Sequence, residues 1–219
     1  MKSIVEALLA LPKSLWVNFR YLPFKQAVKL PILLAPNAAL RAEMGGIMLP
    51  EKIFPGMVRV GFFSMNVCNT HDRTVIEVNG NLTFKGKAAL GRGTKITVNK
   101  GCTMVLGNDF KVSGYSSFVC KHKMTFGDNV LYGWECLTMD GDGHCIFDEN
   151  NAQIKNAKPI DIGDNVWIGC RSTILKGSVI PANSVVGAGT IISGQEFRSN
   201  SVIAGNPPRM IKRITGWEL

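Results

Sequence analysis

Aliphatic side chains recur at every sixth residue over one long stretch of this chain. Steps of six from Ile162 reach only β-branched aliphatic residues: Ile162, Ile168, Ile174, Ile180, Val186 and Ile192. Four places after the first five of these, the residue is small or branched: Val166, Ser172, Ser178, Ser184 and Thr190. A period of six fits neither an α-helix nor the simple alternation of a strand. It predicts a triangular coil of three short strands, with one aliphatic side chain per strand pointing inward.

The same pattern occurs earlier in the chain. Residues 126–131 parallel residues 162–167, and the two segments begin 36 residues apart, which is six periods. A third copy lies at residues 106–110, and a weaker fourth at residues 90–94. Glycine often follows the aliphatic residue, where a tight corner needs a backbone that other residues resist. We therefore predict a mainly β protein, a parallel β-helix stacked coil on coil, over residues 56–194.

The period breaks between about residues 139 and 160, in a segment rich in Gly and Asp that also contains His144. We expect a surface loop inserted into the β-helix, and inserted loops often carry function. Residues 195–219 are expected to form a C-terminal tail. Residues 1–55 are expected to be a basic, partly helical segment, with one or two short amphipathic helices broken at Pro12 and Pro23.

The composition and the net charge indicate a protein with a buried core and an anionic partner. Of 219 residues, 46% are apolar and the net charge is +9, so the chain can bury a core and favours an anionic partner. The first 41 residues hold most of this excess, with one acid, Glu6, against six cations: Lys2, Lys13, Arg20, Lys25, Lys29 and Arg41. Such a segment either caps the open end of the β-helix or contacts an anionic membrane, and we favour the cap. Nucleic acid is disfavoured because aromatic residues are not interleaved with the cations.

Apolar runs are too short to span a membrane, and the N-terminus is only weakly similar to a signal peptide. We therefore expect a cytoplasmic protein. The chain has six cysteines, and no two of them are spaced as Cys-x-x-Cys. We therefore expect reduced, mostly buried thiols and no zinc site.

Two segments carry a family resemblance. Residues 162–192, with the phrase Ile-Gly-Asp-Asn-Val-Trp-Ile-Gly, and residues 204–211, Ala-Gly-Asn-Pro-Pro-Arg-Met-Ile, resemble the hexapeptide-repeat acyltransferases. Those proteins fold as left-handed β-helices. The resemblance extends over roughly residues 75–215 and is strongest to the O-acetyltransferases of sugars and surface polysaccharides.

The resemblance implies an active site centred on His144, which matches the family's catalytic histidine. An imidazole with a pKa of about 6.5 can take the proton of a sugar hydroxyl as that hydroxyl attacks a thioester. Asp140 and Asp142 are near enough in sequence for one of them, Asp140 for preference, to orient the ring. Cys145 offers an alternative as a nucleophilic thiol, but the family transfers the acyl group directly.

The implied acyl donor is acetyl-CoA, bound in a groove between subunits of a homotrimer, with no metal. By motif match, Trp167 flanks the pantetheine arm, the backbone amides of Cys170 and Ala188 bond it, and Arg209 and Lys212 approach the 3′-phosphate. Residues 193–196 depart from the pattern, since many relatives carry a Lys-Asp pair there.

Several functions remain open. The favoured one is acetyl transfer to a hydroxyl of a sugar or surface polysaccharide precursor; the alternatives are N-acetylation of an amino sugar and a non-catalytic scaffold. A γ-type carbonic anhydrase shares the fold, but it needs a cluster of histidines, and His122 and His144 lie 22 residues apart.

Overall fold

In a computed structural model, residues 2–62, 68–69, 71–154 and 156–218 are described. They include the helices α1 (Lys2–Tyr21) and α2 (Phe24–Ala27). The strands of the first coils are β1 (Ile32–Leu34), β2 (Ala39–Ala42), β3 (Ile47–Met48), β4 (Val58–Val60), β5 (Val75–Val78), β6 (Asn81–Phe84), β7 (Ala88–Leu90), β8 (Lys95–Val98), β9 (Thr103–Leu106), β10 (Phe110–Gly114), β11 (Ser117–Cys120) and β12 (Lys123–Phe126). The remaining strands are β13 (Leu131–Trp134), β14 (Leu137–Met139), β15 (Ile146–Phe147), β16 (Gln153–Ile154), β17 (Ile160–Ile162), β18 (Trp167–Ile168), β19 (Thr173–Leu175), β20 (Val179–Ile180), β21 (Val185–Val186), β22 (Ile191–Ser193), β23 (Ser201–Gly205) and β24 (Pro208–Arg213).

Successive strands belong in turn to three faces of a triangular prism. Face A has the order β1-β4-β7-β10-β13-β18-β21-β23-β24, face B the order β2-β5-β8-β11-β14-β19-β22, and face C the order β3-β6-β9-β12-β17-β20. Neighbouring strands pair in parallel, and in the described chain β24 folds back antiparallel on β23 at the end of face A. The parallel β-helix predicted from the repeat is confirmed, and so is the left-handed fold class that the family resemblance implies.

The six-residue period works because one position per strand faces inward. Ile168, Val186 and Ile203 sit in register on successive strands of face A and are fully buried. The coils of β10 to β13 hold an aromatic cluster of Phe110, Phe118, Phe126 and Tyr132, with ring centroids 4.9 to 6.0 Å apart. Such edge-to-face packing adds to the hydrophobic burial of the core.

The Gly-Asp-Asn corners stack through their side chains. The Asp164 carboxylate accepts the backbone N–H of Asp128 in the preceding coil at 2.7 Å. Asn165 has a left-handed φ of 54°, donates its side-chain amide to Asn183 at 3.0 Å and accepts from Asn129 at 2.7 Å. A Cβ on Gly127 would lie 2.6 Å from the Asp164 nitrogen, so the corner requires glycine. The Gly-Asp-Asn motif therefore stabilises the stacking of one coil on the next.

The N-terminal helix covers the free edge of the first coil. The Asn18 side chain accepts the N–H of Ile32 at 3.1 Å and donates to its carbonyl at 2.7 Å, as a neighbouring strand would. Ser14 accepts the N–H of Leu34 at 2.9 Å. These contacts satisfy backbone groups that would otherwise lie open at a sheet edge.

Three features differ from the predicted organisation. Pro12 lies inside α1, so the expected break at that residue is wrong, and the helix instead ends at Tyr21, two residues before Pro23. The β-helix begins at Ile32, ahead of the boundary at residue 56, because β1 to β3 pair with the second coil. The tail contributes β23 and β24 to face A. No helix in the described residues is long and apolar enough to cross a membrane.

Candidate functional site

An apolar groove of about 590 Å³ runs along the outside of face A. Its walls include Lys111, Leu131, Trp134, Trp167, Cys170 and Ala188. Its floor is low because Gly133, Gly169 and Gly187 line it and carry no side chain. The structure therefore brings together three of the predicted donor-binding residues, Trp167, Cys170 and Ala188.

Two backbone amides in this groove are unused. Within the described part of the chain, the N–H groups of Cys170 and Ala188 donate no hydrogen bond. A Cβ on Gly133 would lie 2.7 Å from the Cys170 nitrogen, and one on Gly169 would lie 2.6 Å from the Ala188 nitrogen. The glycines thus leave room for donors that a bound carbonyl oxygen can satisfy.

Trp167 is 41% exposed and meets a second indole that sequence reasoning missed. The ring of Trp217 lies 6.1 Å from that of Trp167, and its Nε1 donates to the carbonyl of Asn165 at 2.8 Å. Only the return of the C-terminal segment over the last coils creates this pair, since fifty residues separate the two indoles. Trp217 could not be identified from the sequence because it lies outside the six-residue repeat.

Arg209 and Lys212 lie on β24, opposite Ala204 and Val202 of β23. Both are exposed, and neither lines the groove. Because β23 pairs with β21, whose residues Val185 and Val186 form part of the groove wall, these cations lie on the same face, beyond its end.

His144 lies on an antiparallel arm that replaces the corner between β14 and β17. The arm is closed at its base by the N–H of Lys158, which donates to the Asp140 carbonyl at 3.0 Å, and by the N–H of Asp142, which donates to the Asn156 carbonyl at 2.8 Å. At its tip the Asp148 carboxylate accepts two backbone N–H groups. His144 is exposed, and the amide of Asn156 reaches its carbonyl at 3.5 Å. The predicted insertion is thus an arm whose base and tip are both held by hydrogen bonds.

The arm also exposes apolar side chains. Ile146, Phe147 and Ile154 are each at least 44% exposed on its short hairpin. Beside its base, Asn99, Lys121, Gly143 and Asn156 surround a polar pocket of about 280 Å³.

Asp140 does not contact His144. It is fully buried, and its carboxylate accepts the backbone N–H groups of Lys121 at 2.6 Å and His122 at 3.0 Å. Sequence proximity suggested that Asp140 orients the imidazole; the structure directs it instead to the corner of the preceding coil. Asp142 forms an ion pair with Lys176. In the described chain neither acid touches the His144 ring.

His144 and the groove lie on opposite sides of one subunit. The arm leaves face B after β14 and enters face C at β17, so it occupies the edge between these two faces. In a triangular prism that edge lies across the core from face A. A single chain therefore does not bring the imidazole to the groove.

The cysteines divide by burial. Burial raises the pKa of the Cys120 thiol to about 12, and the charge of Asp140 adds to the effect. Burial also raises the pKa of the Cys136 and Cys102 thiols. Cys145 is exposed on the arm, where its sulfur accepts the Gln153 amide at 3.2 Å. Among the described residues no three His, Cys, Asp or Glu side chains form a group that could hold a metal ion.

These differences predict an order of alkylation. In the folded protein near neutral pH, N-ethylmaleimide should modify Cys145 first and leave Cys120 and Cys136 intact until the chain is unfolded, because the thiolate is the reactive form. Mass spectrometry of peptides after timed quenching measures this order. Modification of Cys120 in the folded protein as fast as that of Cys145 would contradict the described packing.

Comparison with known proteins supports the fold and the family resemblance. No family model matches the chain. Galactoside O-acetyltransferase of Escherichia coli K12 is 36% identical over 116 residues, which is 52% of this chain and 56% of that protein, so the chain spans little more than half of the relative's length. An uncharacterized 24.8 kDa protein in the cps region of Klebsiella pneumoniae is 25% identical over 202 residues, 92% of this chain and 88% of that protein.

Among solved structures, that of the polySia specific acetyltransferase NeuO aligns with a TM-score of 0.65 and 22% identity, over 83% of this chain and 72% of that one. This likeness shows the fold. The repeat, the β-helix and these relatives agree, and they confirm the resemblance of the chain to the hexapeptide-repeat sugar O-acetyltransferases.

Proposed function

We propose that this protein is a CoA-dependent acetyltransferase that moves an acetyl group from acetyl-CoA to a hydroxyl of a sugar or surface polysaccharide precursor. The observation that carries the proposal is the face-A groove, in which two unused backbone N–H groups and an exposed indole line an apolar channel. That combination suits the pantetheine arm of CoA, an apolar chain with two amide carbonyls.

The positions of the amides and cations along the groove suggest how acetyl-CoA would be oriented in it. The N–H groups of Cys170 and Ala188 would donate to the pantetheine carbonyls, and Trp167 would pack against the chain. Arg209 and Lys212, exposed beyond the end of the groove, would attract the 3′-phosphate. The thioester would then lie toward the opposite end, away from β24.

The catalytic unit in this proposal is a homotrimer. His144 is on the edge opposite the groove of its own subunit, so a shared site needs the arm of a neighbouring copy. Ile146, Phe147 and Ile154 on the arm supply an exposed apolar surface that such a contact would bury. A ring of three copies gives each groove one arm.

Within this site His144 acts as the general base. Its imidazole takes the proton of the acceptor hydroxyl while the hydroxyl oxygen attacks the thioester carbonyl. Collapse of the tetrahedral intermediate breaks the carbon–sulfur bond, and the imidazolium returns the proton to the CoA thiolate. The products are the acetyl ester and free CoA, and no covalent step on Cys145 is required.

Saccharide acceptors are the proposed class because the 36%-identical relative is a galactoside O-acetyltransferase. The polar pocket beside the arm, with Asn99, Lys121 and Asn156, offers donors to hydroxyl and acidic groups of a glycan. Release of free thiol from acetyl-CoA with a panel of saccharides tests the activity. Mild alkali removes an O-acetyl ester and spares an N-acetyl amide, which separates the two products.

Subunit complementation tests the shared site. His144→Ala removes the base, and Ala188→Trp fills the groove of its own subunit; Ala188 is exposed, so the indole needs no space in the core. Each variant alone should be nearly inactive. Mixed after dissociation and reassembly, they should recover activity in about a quarter of the sites, those that pair an intact groove with an intact arm.

Two results would overturn parts of the proposal. If the mixture stays as inactive as its components while both assemble as trimers, His144 does not serve a neighbour's groove. If the wild-type protein neither binds CoA nor releases thiol with any acceptor, the scaffold alternative replaces the enzyme.

A further inference from the structure

The N-terminal helix presents two unlike faces. Its inner face, with Ser14, Val17 and Asn18, is buried on the first coil. Its outer face leaves large apolar side chains in solvent: Leu8 at 60%, Leu9 at 64%, Trp16 at 57% and Phe19 at 49% exposure. Phe24, 73% exposed, extends this face into α2, with its ring 6.0 Å from that of Phe19. We call these five residues the apolar ridge.

Most of the ridge points away from the β-helix, and Trp16 also borders a groove shared with Leu34 and Leu40 of the first coil. Backbone hydrogen bonds between coils run along the axis of the prism, and Asn18 makes such bonds with the free edge of β1. The inner face of α1 therefore looks down the axis at the first coil. Leu8, Trp16 and Phe19 are spaced so that they occupy the opposite side of a 3.6-residue helix, which projects outward from the end of the molecule.

Positive charge surrounds the ridge. Arg20, Lys25 and Lys29 are exposed on or beside the two helices, and Arg41 is exposed on β2. Between residues 7 and 42 the sequence contains no acid. These cations form a basic rim around the apolar ridge. An apolar ridge with a basic rim complements a surface that has an apolar interior beneath an anionic outer layer.

We propose that the apolar ridge lies in the interface of a phospholipid bilayer containing anionic lipid, with the helix axis in the membrane plane. A second copy of the chain fits less well, because it would bring two basic rims together. Indole and phenyl rings suit the boundary between acyl chains and headgroups, and lysine and arginine suit the phosphates. The proposal goes beyond the proposed function and does not depend on it.

Membrane contact at this end would have a consequence for the assembly. In the trimer proposed above, the first coils of the three subunits share one end, so three ridges would meet the same bilayer. Three weak contacts on one particle bind far more tightly than one. The enzyme would thereby meet acceptors held at a membrane.

Vesicle flotation tests the proposal without substrate or CoA. The wild-type protein should float with vesicles of about 70% phosphatidylcholine and 30% phosphatidylglycerol and remain in solution with pure phosphatidylcholine. Trp16→Ser/Phe19→Ser should weaken this binding at least about tenfold, since it removes two interfacial anchors. Raising the salt from about 0.1 M to 1 M should also weaken it, because the screening length falls from about 10 Å to 3 Å.

Phe54→Ser is the matched control. It removes another exposed ring, which lies on the loop between β3 and β4, and should float as the wild type does. Circular dichroism checks that each variant keeps its fold. Absence of flotation with anionic vesicles, or equal flotation of Trp16→Ser/Phe19→Ser and wild type, overturns the proposal. So does a smaller assembly of Trp16→Ser/Phe19→Ser on light scattering without any vesicle binding by the wild type, because the ridge is then a contact between copies.

Discussion

His144→Ala is expected to lower kcat/KM for acetyl transfer by about a hundredfold to ten-thousandfold, the range typical for loss of a general base. The imidazole is exposed on an arm and supports no other side chain in the described structure, so its removal should leave the unfolding midpoint unchanged. Binding of CoA, measured by calorimetry, should also be unchanged, because the groove residues are untouched. Thiol release with the best saccharide acceptor gives the rate.

His122→Ala is the control for this experiment. His122 lies at the same edge of the prism, one coil earlier; its side chain is exposed, and its described hydrogen bond to Asp140 comes from the backbone. It should retain wild-type turnover. Normal turnover in His144→Ala would remove the imidazole from the mechanism, and Cys145→Ala would then be the next variant to assay.

Asp140→Ala should unfold more easily, by about 2–6 kcal/mol in the free energy of unfolding. The substitution removes a buried carboxylate and leaves the N–H groups of Lys121 and His122 without an acceptor, and each such loss costs about 1–3 kcal/mol. Urea denaturation followed by circular dichroism measures the change. Turnover should fall less than in His144→Ala, because the effect on the arm is indirect.

Asp142→Ala is the matched control for Asp140→Ala. Its carboxylate is partly exposed in an ion pair with Lys176, and pairs of this kind contribute less than about 1 kcal/mol. If instead Asp140→Ala kept the wild-type stability and lost turnover as completely as His144→Ala, the carboxylate would act on the imidazole after all. The described hydrogen bonds of Asp140 argue against that result.

Much of the β-helix could be predicted because its repeat is local. Each strand needs one inward aliphatic residue, and each corner needs a glycine or an asparagine. The core positions of Ile168 and Val186 and the corner position of Gly127 could therefore be predicted from residues a few positions away. The first coil was not predicted because residues 49–57 and 61–74 lack the six-residue repeat in the sequence. Pro12 misled the helix prediction since packing of Ser14 and Asn18 on β1 compensates for a lost helical hydrogen bond.

Only part of the candidate site could be predicted from the sequence. Trp167, Cys170 and Ala188 share one face because residues 18 or so apart stack on successive coils, a regularity that spacing carries. Asp140 was assigned to His144 by proximity in sequence. A buried carboxylate takes whichever N–H groups the fold brings near it, and here those belong to the coil before, about 20 residues back.

The sequence alone determined the six-residue repeat, the β-helix, the inward-facing core positions and the segment that interrupts them, because these follow from short-range periodicity. Tertiary structure alone decided that Trp217 returns to Trp167, that Asp140 supports a corner, that an apolar ridge faces outward from α1, and that His144 and the groove lie on opposite sides of one subunit. Those arrangements depend on which distant segments stack against each other, and no local pattern of residues encodes that stacking.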